Sequence, residues 1–304
     1  MISVIIPTYN NDDQLIKTIS NVCGQDFKDI EIIIIDDAST DETKNKILNL
    51  NNSKIKYYKN FENLGVSKSR IEGVKKATGE YVAFIDDDDI WLDGKLSKQS
   101  EVIREKNLDF VTSNFTINNM LNQTIYEKSL NHFGDNFKHS IIRGPGPFFQ
   151  CCLFLAPFLN KHINKLDSGA EPSEDWDFFI TLSQISPVVT YCRCNSFKWQ
   201  LNKKSQSVNL VKEASALAYI CDKHYKYLIK NVGKKIMSNH YRRIARVYEK
   251  TASMNQINKF YKKAFIQYPY SIKNIFYIMM TMIGYHNTKF IINWMRKIRG
   301  VPNA

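Results

Sequence analysis

The chain has 304 residues, enough for one large domain or two modest ones, and its 43% hydrophobic and 24% charged residues are those of an ordinary globular protein. No run approaches the ~18 uninterrupted apolar residues of a spanning helix, and the opening "MISVIIPTYNN" has neither the basic region nor the cleavage site of an export signal, so a membrane-spanning or secreted chain is not expected. The net charge of +12 is unevenly divided: residues 201–304 carry 20 Lys/Arg against 3 Asp/Glu and the preceding 200 carry 22 against 27, which predicts a mildly acidic first region and a strongly basic second one.

In chain order, "ISVIIPTY" predicts a buried strand, and "NDDQLIKTISNVCGQ" a helix with Leu15, Ile19 and Val22 on one face. "IEIIIIDDAS" predicts a second buried strand, and "TDETKNKILNL" a helix opened by the cap pattern Thr40-Asp41-Glu42-Thr43. "KIKYYKN" predicts a third strand, "GVSKSRIEGVKKAT" a helix and "GEYVAFID" a fourth strand. Near-continuous apolar strands alternating with helices predict an α/β fold, a mostly parallel central sheet covered by helices on both faces. Ligands of such sheets collect beyond the carboxyl ends of the strands. Three strands here end there in polar groups: Thr8-Tyr9-Asn10, Asp36-Asp37 and Asp86 to Asp89.

From Asn107 to Gln200 the pattern is less regular. "LDFVTSNFTIN" and "VVTYC" predict strands, and "SEDWDFFITLSQI" a helix with Ser173 as its cap. "RGPGPFFQ" predicts a loop that runs over the surface or lines a site. Beyond about Ser205 the pattern is helical throughout: Val208–Asn231, Lys234–Thr251, Asn255–Gln267 and Ser271–Arg299, with Pro269 between the last two. Of the six cysteines, Cys151-Cys152 and Cys192-x-Cys194 do not have zinc spacing, and reduced, mostly buried thiols are expected.

The run Asp86-Asp87-Asp88-Asp89 carries the chemistry. Two unit charges about 4 Å apart at an effective dielectric near 20 repel by roughly 4 kcal/mol. Four together need a solvated turn, raised pKa values or a cation, and a turn or helix start is the plainest reading. There is no G-x-G-x-x-G after the first strand and no P-loop, so glycine amides are not the expected phosphate cradle. Carboxylates holding Mg²⁺ or Mn²⁺ would serve instead, since these ions take oxygen ligands from one or two carboxylates and from substrate phosphates. On extended backbone Asp86 and Asp88 would face one way and Asp87 the other.

Taken in order, "VIIPTYN", "IIIIDDASTDET", "NLGVSKSRIEGVKKATGEYVAFIDDDD" and "SEDWDFFITLS" resemble the family 2 glycosyltransferases of GT-A fold over roughly residues 1–205. The resemblance implies a GT-A catalytic domain at 1–205, with nucleotide-sugar binding at about 1–110 and the acceptor side at about 111–205. The basic helical region, 206–304, is expected to contact an anionic membrane surface, or to pack on the catalytic domain or a second subunit. It further implies inverting transfer of one sugar from a nucleotide-sugar, usually a UDP-sugar, with Mn²⁺ or Mg²⁺. Carried over by position, Pro7, Thr8 and Tyr9 match the first nucleotide contacts, with Tyr9 beside the base. Asp37 matches the partner of the uracil edge, with Asp36 as its neighbour, for which capping the next helix is the plainer role. Arg70 matches an arginine near the diphosphate or base. Asp86-Asp87-Asp88 matches the D-x-D element: Asp88 on the metal, Asp86 and Asp87 near the ribose and donor sugar, and Asp89 turned inward to cap "IWLDGKLSKQ". Asp175 matches the general base, with Glu174 as its neighbour and Asp177 structural. A helix N-terminus is expected to keep Asp175 ionised.

The chain departs from the family where an Arg-x-His is usual, having Lys198 and Gln200, with Lys203 and Lys204 close by. The missing His implies fewer protein ligands for the metal, or a lysine that assists the leaving group. There is no Q-x-x-R-W of processive synthases, which favours single additions. The expectation is a bacterial enzyme acting at the cytoplasmic face of the cell membrane on a polyprenyl-diphosphate-linked or other surface-glycan acceptor. No nucleic-acid partner is expected, and self-association through the helical region is left open. The alternatives are a catalytically degenerate nucleotide- or glycan-binding module of the same fold, and a nucleotidyltransferase. The latter needs a glycine-rich basic loop, which "PTYNNDDQL" is not.

Overall fold

The structure, a computed structural model, describes residues 1–202, 208–251 and 253–283. The chain divides into two compact units, Met1–Val208 and Asn209–Ala304. In the first, β1 (Ile2–Thr8) is buried at every position, and α1 (Asp12–Gly24) turns Leu15, Thr18, Ile19 and Val22 inward. β2 (Ile30–Asp36), also buried throughout, pairs in parallel with β1 from Ile2 opposite Ile30 to Thr8 opposite Asp36. This full burial is why both strands read as unbroken apolar runs.

α2 (Thr43–Asn49) starts three residues after the expected Thr40, with Glu42 at the cap position; just before it, Asp41 Oδ1 accepts from the Thr43 N–H at 3.1 Å and the Thr43 hydroxyl at 2.6 Å. β3 (Ile55–Lys59) is the half-buried edge, parallel to β2. α3 (Val66–Lys76) follows Gly65, whose φ of +88° suits glycine. It lies so close on β1 that a Cβ at Gly73 would fall 2.4 Å from Ile5 Cγ2. β4 (Tyr81–Phe84) pairs in parallel with the other side of β1.

The strands after β4 make the sheet mixed. They are β5 (Ile90–Trp91), β6 (Phe110–Asn119), β7 (Thr124–Lys128), β8 (Cys152–Leu155) and β9 (Val189–Leu201), and their helices are α4 (Lys95–Lys106), α5 (His132–Asp135), α6 (Phe137–Ile141), α7 (Ala156–His162) and α8 (Glu174–Ser183). The order is β3-β2-β1-β4-β8-β6-β9-β5, with β7 paired to β6. It is parallel from β3 to β4; β8 is antiparallel to β4 and β6, β9 is parallel to β6, and β5 is antiparallel to β9. β5 and β8 are two and four residues long, too short for periodicity to reveal them. The strand expected at "VVTYC" runs on to Leu201, so "FKWQ" belongs to the sheet rather than to a loop.

Phe149 closes the core between sheet and helices, with ring centroids 5.0 Å from Phe84 and 5.3 Å from Phe178. All six cysteines are free, and all but Cys23 are buried. Lys95 is wholly buried beside Cys151, Cys152, Cys192 and Cys194; its ammonium donates to Gln99 Oε1 at 2.7 Å and lies 4.7 Å from the Trp91 ring centroid.

The second unit is helical: α9 (Leu210–Lys223), α10 (Tyr225–Glu249), α11 (Met254–Gln267) and α12 (Ile272–Ile283). The single helix expected over Val208–Asn231 is broken at His224, while the break expected before Lys234 falls at Gly233, with φ 72° and ψ 174°. The rest of the helix expected over Ser271–Arg299 lies outside the described residues. α12 exposes Ile272, Ile275, Phe276 and Met279, one face at helical spacing. No helix among the described residues is long and apolar enough to cross a membrane.

Candidate active site

Beyond the carboxyl ends of β1, β2 and β4 opens a cleft of about 1200 Å³. Every site residue expected from the sequence lines it: Pro7, Thr8, Tyr9, Asp37, Arg70, Asp86, Asp87, Asp88 and Asp175. Tyr9, half-exposed, stands at the end of β1.

The acidic run is a turn, closed by the Asp89 N–H donating to the Asp86 carbonyl at 3.2 Å. The alternation expected of extended backbone therefore does not hold, and each carboxylate finds its own partners. Asp86 accepts from Arg70 Nη2 at 2.9 Å and from the Gln150 amide. Asp87 accepts from the Thr8 hydroxyl at 2.6 Å and Asn11 Nδ2 at 2.8 Å, and Asp88 from Asn202 Nδ2 at 3.2 Å. Asp89 is buried, as expected of an inward turn, but it accepts from the Gln200 N–H of β9 at 3.0 Å rather than capping the segment that follows. Thr18 of α1 holds the turn from below, its hydroxyl 3.0 Å from the Asp87 carbonyl and 3.2 Å from that of Asp89.

Asp87, Asp88 and Asp89 thus meet neutral donors, and burial raises all three carboxyls. Asp87 is pushed up to about 7, with Asp88 and Asp86 adding repulsion; Asp88 is pushed up to about 6, with Asp86 adding; Asp89 lies well above the usual range. These are hard oxygen donors in a place short of positive charge, which suits Mg²⁺ or Mn²⁺. Among the described residues no three His, Cys, Asp or Glu side chains form a ready cage. The donor set therefore fits an ion that takes most of its ligands from elsewhere, as from a diphosphate.

Arg70 is 2% exposed, so it is not the solvated surface charge that helical arginines usually are. It reaches Asp86 on one side and Glu174 Oε1, at 2.6 Å, on the other, while its guanidinium carbon lies 5.0 Å over the Phe149 ring. Burial raises Glu174, and the Arg70 charge pulls it back. Asp175 follows Glu174 in the first turn of α8, with its Oδ1 3.4 Å from the Phe149 N–H. The expectation that a helix N-terminus keeps Asp175 ionised is overturned: burial and the Glu174 charge raise it well above the usual carboxylate range, and Arg70 only partly offsets them. Ser173 occupies the cap position without a side-chain cap bond, so its hydroxyl adds nothing to α8. Asp177 is buried and does not line the cleft.

Asp37 lines the cleft, yet its carboxylate already gathers the loop before α3. It accepts from the Leu64 N–H at 2.9 Å, the Gly65 N–H at 2.8 Å and Asn60 Nδ2 at 2.7 Å. Asp36 accepts from the Ser39 N–H and the Tyr57 hydroxyl, capping a turn rather than the next helix. Of the residues in place of Arg-x-His, Gln200 lines the cleft and Lys198 does not; Lys203 and Lys204 lie outside the described residues. Gln150, Asn11, Asn202, Phe148 and Trp199 also line it and were missed from the sequence. Phe148 and Gln150 fall in "RGPGPFFQ", the loop expected to run over the surface or to line a site, while no local signal marked the other three.

A family profile described as glycosyl transferase family 2 matches residues 3–161, just over half of the chain. The chain belongs to glycosyl transferase family 2. An Escherichia coli UDP-Glc:alpha-D-GlcNAc-diphosphoundecaprenol beta-1,3-glucosyltransferase is 34% identical over 119 residues, 39% of this chain and 47% of that protein. A Campylobacter jejuni GalNAc(5)-diNAcBac-PP-undecaprenol beta-1,3-glucosyltransferase is 44% identical over 99 residues, 32% of each. The matched stretch thus spans less than half the length of these relatives. Among solved structures, Staphylococcus aureus TarS 1–349 in complex with UDP-GlcNAc superposes with a TM-score of 0.64 at 18% identity, over 86% of this chain and 81% of that one. A Pyrobaculum calidifontis mannosyltransferase in complex with GDP-Man and Mn²⁺ gives 0.57 at 14% identity, over 92% and 86%. The fold of this family 2 member is GT-A, with a helical region following it.

Proposed function

We propose that the chain is a metal-dependent inverting glycosyltransferase that moves one sugar from a UDP-sugar to a hydroxyl of a polyprenyl-diphosphate-linked or other surface-glycan acceptor. The observation that carries this reading is the convergence, in one cleft, of the Asp86–Asp88 turn and the Glu174-Asp175 pair, joined through Arg70. Mn²⁺ or Mg²⁺, held by Asp88 with Asp86 and Asp87 beside it, would neutralise the donor's diphosphate as it leaves. Pro7, Thr8 and Tyr9 would seat the nucleotide, and Asp37 would approach the base from the loop that it organises. Arg70, bridging Asp86 and Glu174, fixes the position of both carboxylates and opposes the rise that burial causes at Glu174. Asp175 would take the proton from the attacking hydroxyl. Its raised pKa makes it a stronger proton acceptor than an ordinary carboxylate.

The relatives named for diphosphoundecaprenol acceptors support the acceptor class. The exposed apolar face of α12, in a region with a large excess of Lys and Arg, suits an anionic lipid surface, and hence a peripheral position at the cytoplasmic face of the membrane. A panel of nucleotide-sugars screened with Mn²⁺ tests the reading. One of them is expected to raise the melting temperature and to be hydrolysed, and Asp88→Ala should abolish hydrolysis in a folded protein. Binding of UDP without turnover of any donor would instead identify a degenerate binding module.

A further inference from the structure

The cleft has one apolar wall. Phe148 and Trp199 both line it and both are half-buried, with their rings 5.4 Å apart at 61°. Phe115 and Phe197 are buried and stacked at 5.4 Å, Phe197 also bordering the cleft, and Phe115 packs on Phe148 at 5.2 Å. These ring contacts already hold the half-buried pair, so covering it costs little side-chain freedom.

The position of this wall narrows what it can bind. Phe148 precedes Phe149, whose N–H faces Asp175, and Trp199 precedes Gln200, whose N–H holds Asp89. The aromatic pair thus shares the cleft with the Asp175 carboxylate and the acidic turn, each ring one residue from a backbone contact to one of them. The Asn118 amide donates to Gln200 Oε1 at 2.7 Å, so a polar pair borders the same wall. Flat rings bordered by amides are the complement of a pyranose, which has an apolar C–H face and a rim of hydroxyls.

We propose that Phe148 and Trp199 form the acceptor-sugar platform, stacking the terminal hexopyranose so that one of its hydroxyls reaches Asp175. This rests on the transferase reading for its role, but the platform itself is a glycoside-binding site that can be tested without turnover. Stacking needs one unobstructed C–H face, which rings of gluco and of galacto configuration both offer, since the axial O4 of the latter lies on the opposite face.

The test is glycoside binding by the full chain, followed by ligand-observed NMR. The probes are methyl N-acetyl-β-D-glucosaminide, methyl β-D-galactoside and hexanol, each with and without UDP and Mn²⁺. The glucosaminide is expected to bind, and Trp199→Ala to weaken it about tenfold. Trp199→Phe should recover most of the loss, Phe148→Ala should weaken it similarly, and calorimetric affinity for UDP should stay within twofold. Unchanged glucosaminide binding in both alanine variants would overturn the platform, as would binding of hexanol with no response to either glycoside. If UDP fails to bind while Trp199→Ala still lowers glucosaminide binding, the platform stands and the donor assignment falls.

Discussion

Arg70 and Glu174, 104 positions apart in the chain, meet at 2.6 Å, and the same buried guanidinium reaches Asp86 at 2.9 Å. Breaking a buried pair by removing one partner leaves an uncompensated charge and costs about 3–5 kcal/mol. Arg70→Met should therefore lower the urea midpoint markedly. Arg70→Met combined with Glu174→Gln should recover a good part of the loss, since the stranded carboxylate is then gone. Arg70→Lys should recover less than charge alone suggests, because an ammonium cannot bridge both carboxylates in the geometry of a guanidinium.

Asp87 and Asp88, pushed up to about 7 and about 6, make the metal-free protein sensitive to pH. A carboxyl whose folded pKa is raised is protonated in the folded state at pH values where the unfolded chain has lost its proton. Stability is then unpenalised below the unfolded pKa near 4 and falls as pH rises toward 7. Metal-free protein should melt several degrees lower at pH 8 than at pH 5. Asp88→Asn should flatten part of that slope, and Mn²⁺ with UDP should offset it in the wild type but not in Asp88→Asn.

Asp175 is raised by burial and by Glu174, so it accepts a proton only once pH exceeds its own elevated pKa. Transfer rate should climb with pH along an acidic limb, and Asp175→Asn should cut kcat by about 10²- to 10⁴-fold and remove that limb. Calorimetric affinity for UDP should change little in this variant. A wild-type rate that is flat between pH 5 and pH 8 would exclude Asp175 as the base.

Lys95 is fully buried, and burial lowers its pKa to about 8. The sign is opposite to that of a surface lysine: the folded state is penalised wherever the unfolded amine is charged, and the penalty fades between pH 8 and about 10.5. Unfolding free energy of the wild type should rise relative to that of Lys95→Met over this interval, by about 1–3 kcal/mol. Equal pH slopes for the two proteins in urea titrations would show that the amine is solvated.

Much of the first unit was legible because its signals are local. β1 and β2 are buried on both faces, so their residues are apolar without interruption, and α1 and α3 show helical spacing between them. The acidic turn announced itself through its charge. β5 and β8 were illegible because two and four residues carry no period, and Gln150 because a lone amide carries no pattern. The boundary at His224 was missed for a similar reason: apolar spacing continues through it, while the backbone breaks.

The sequence by itself determined the alternating strands and helices from β1 to β4, and that carboxylates gather where β4 ends, since periodicity and charge are properties of neighbouring residues. Only the tertiary structure decided that Arg70 lies buried between Asp86 and Glu174, that Asp175 is raised rather than lowered, and that Trp199 faces the cleft. Burial and pairing across a hundred residues depend on which surfaces pack together, and no local pattern encodes that.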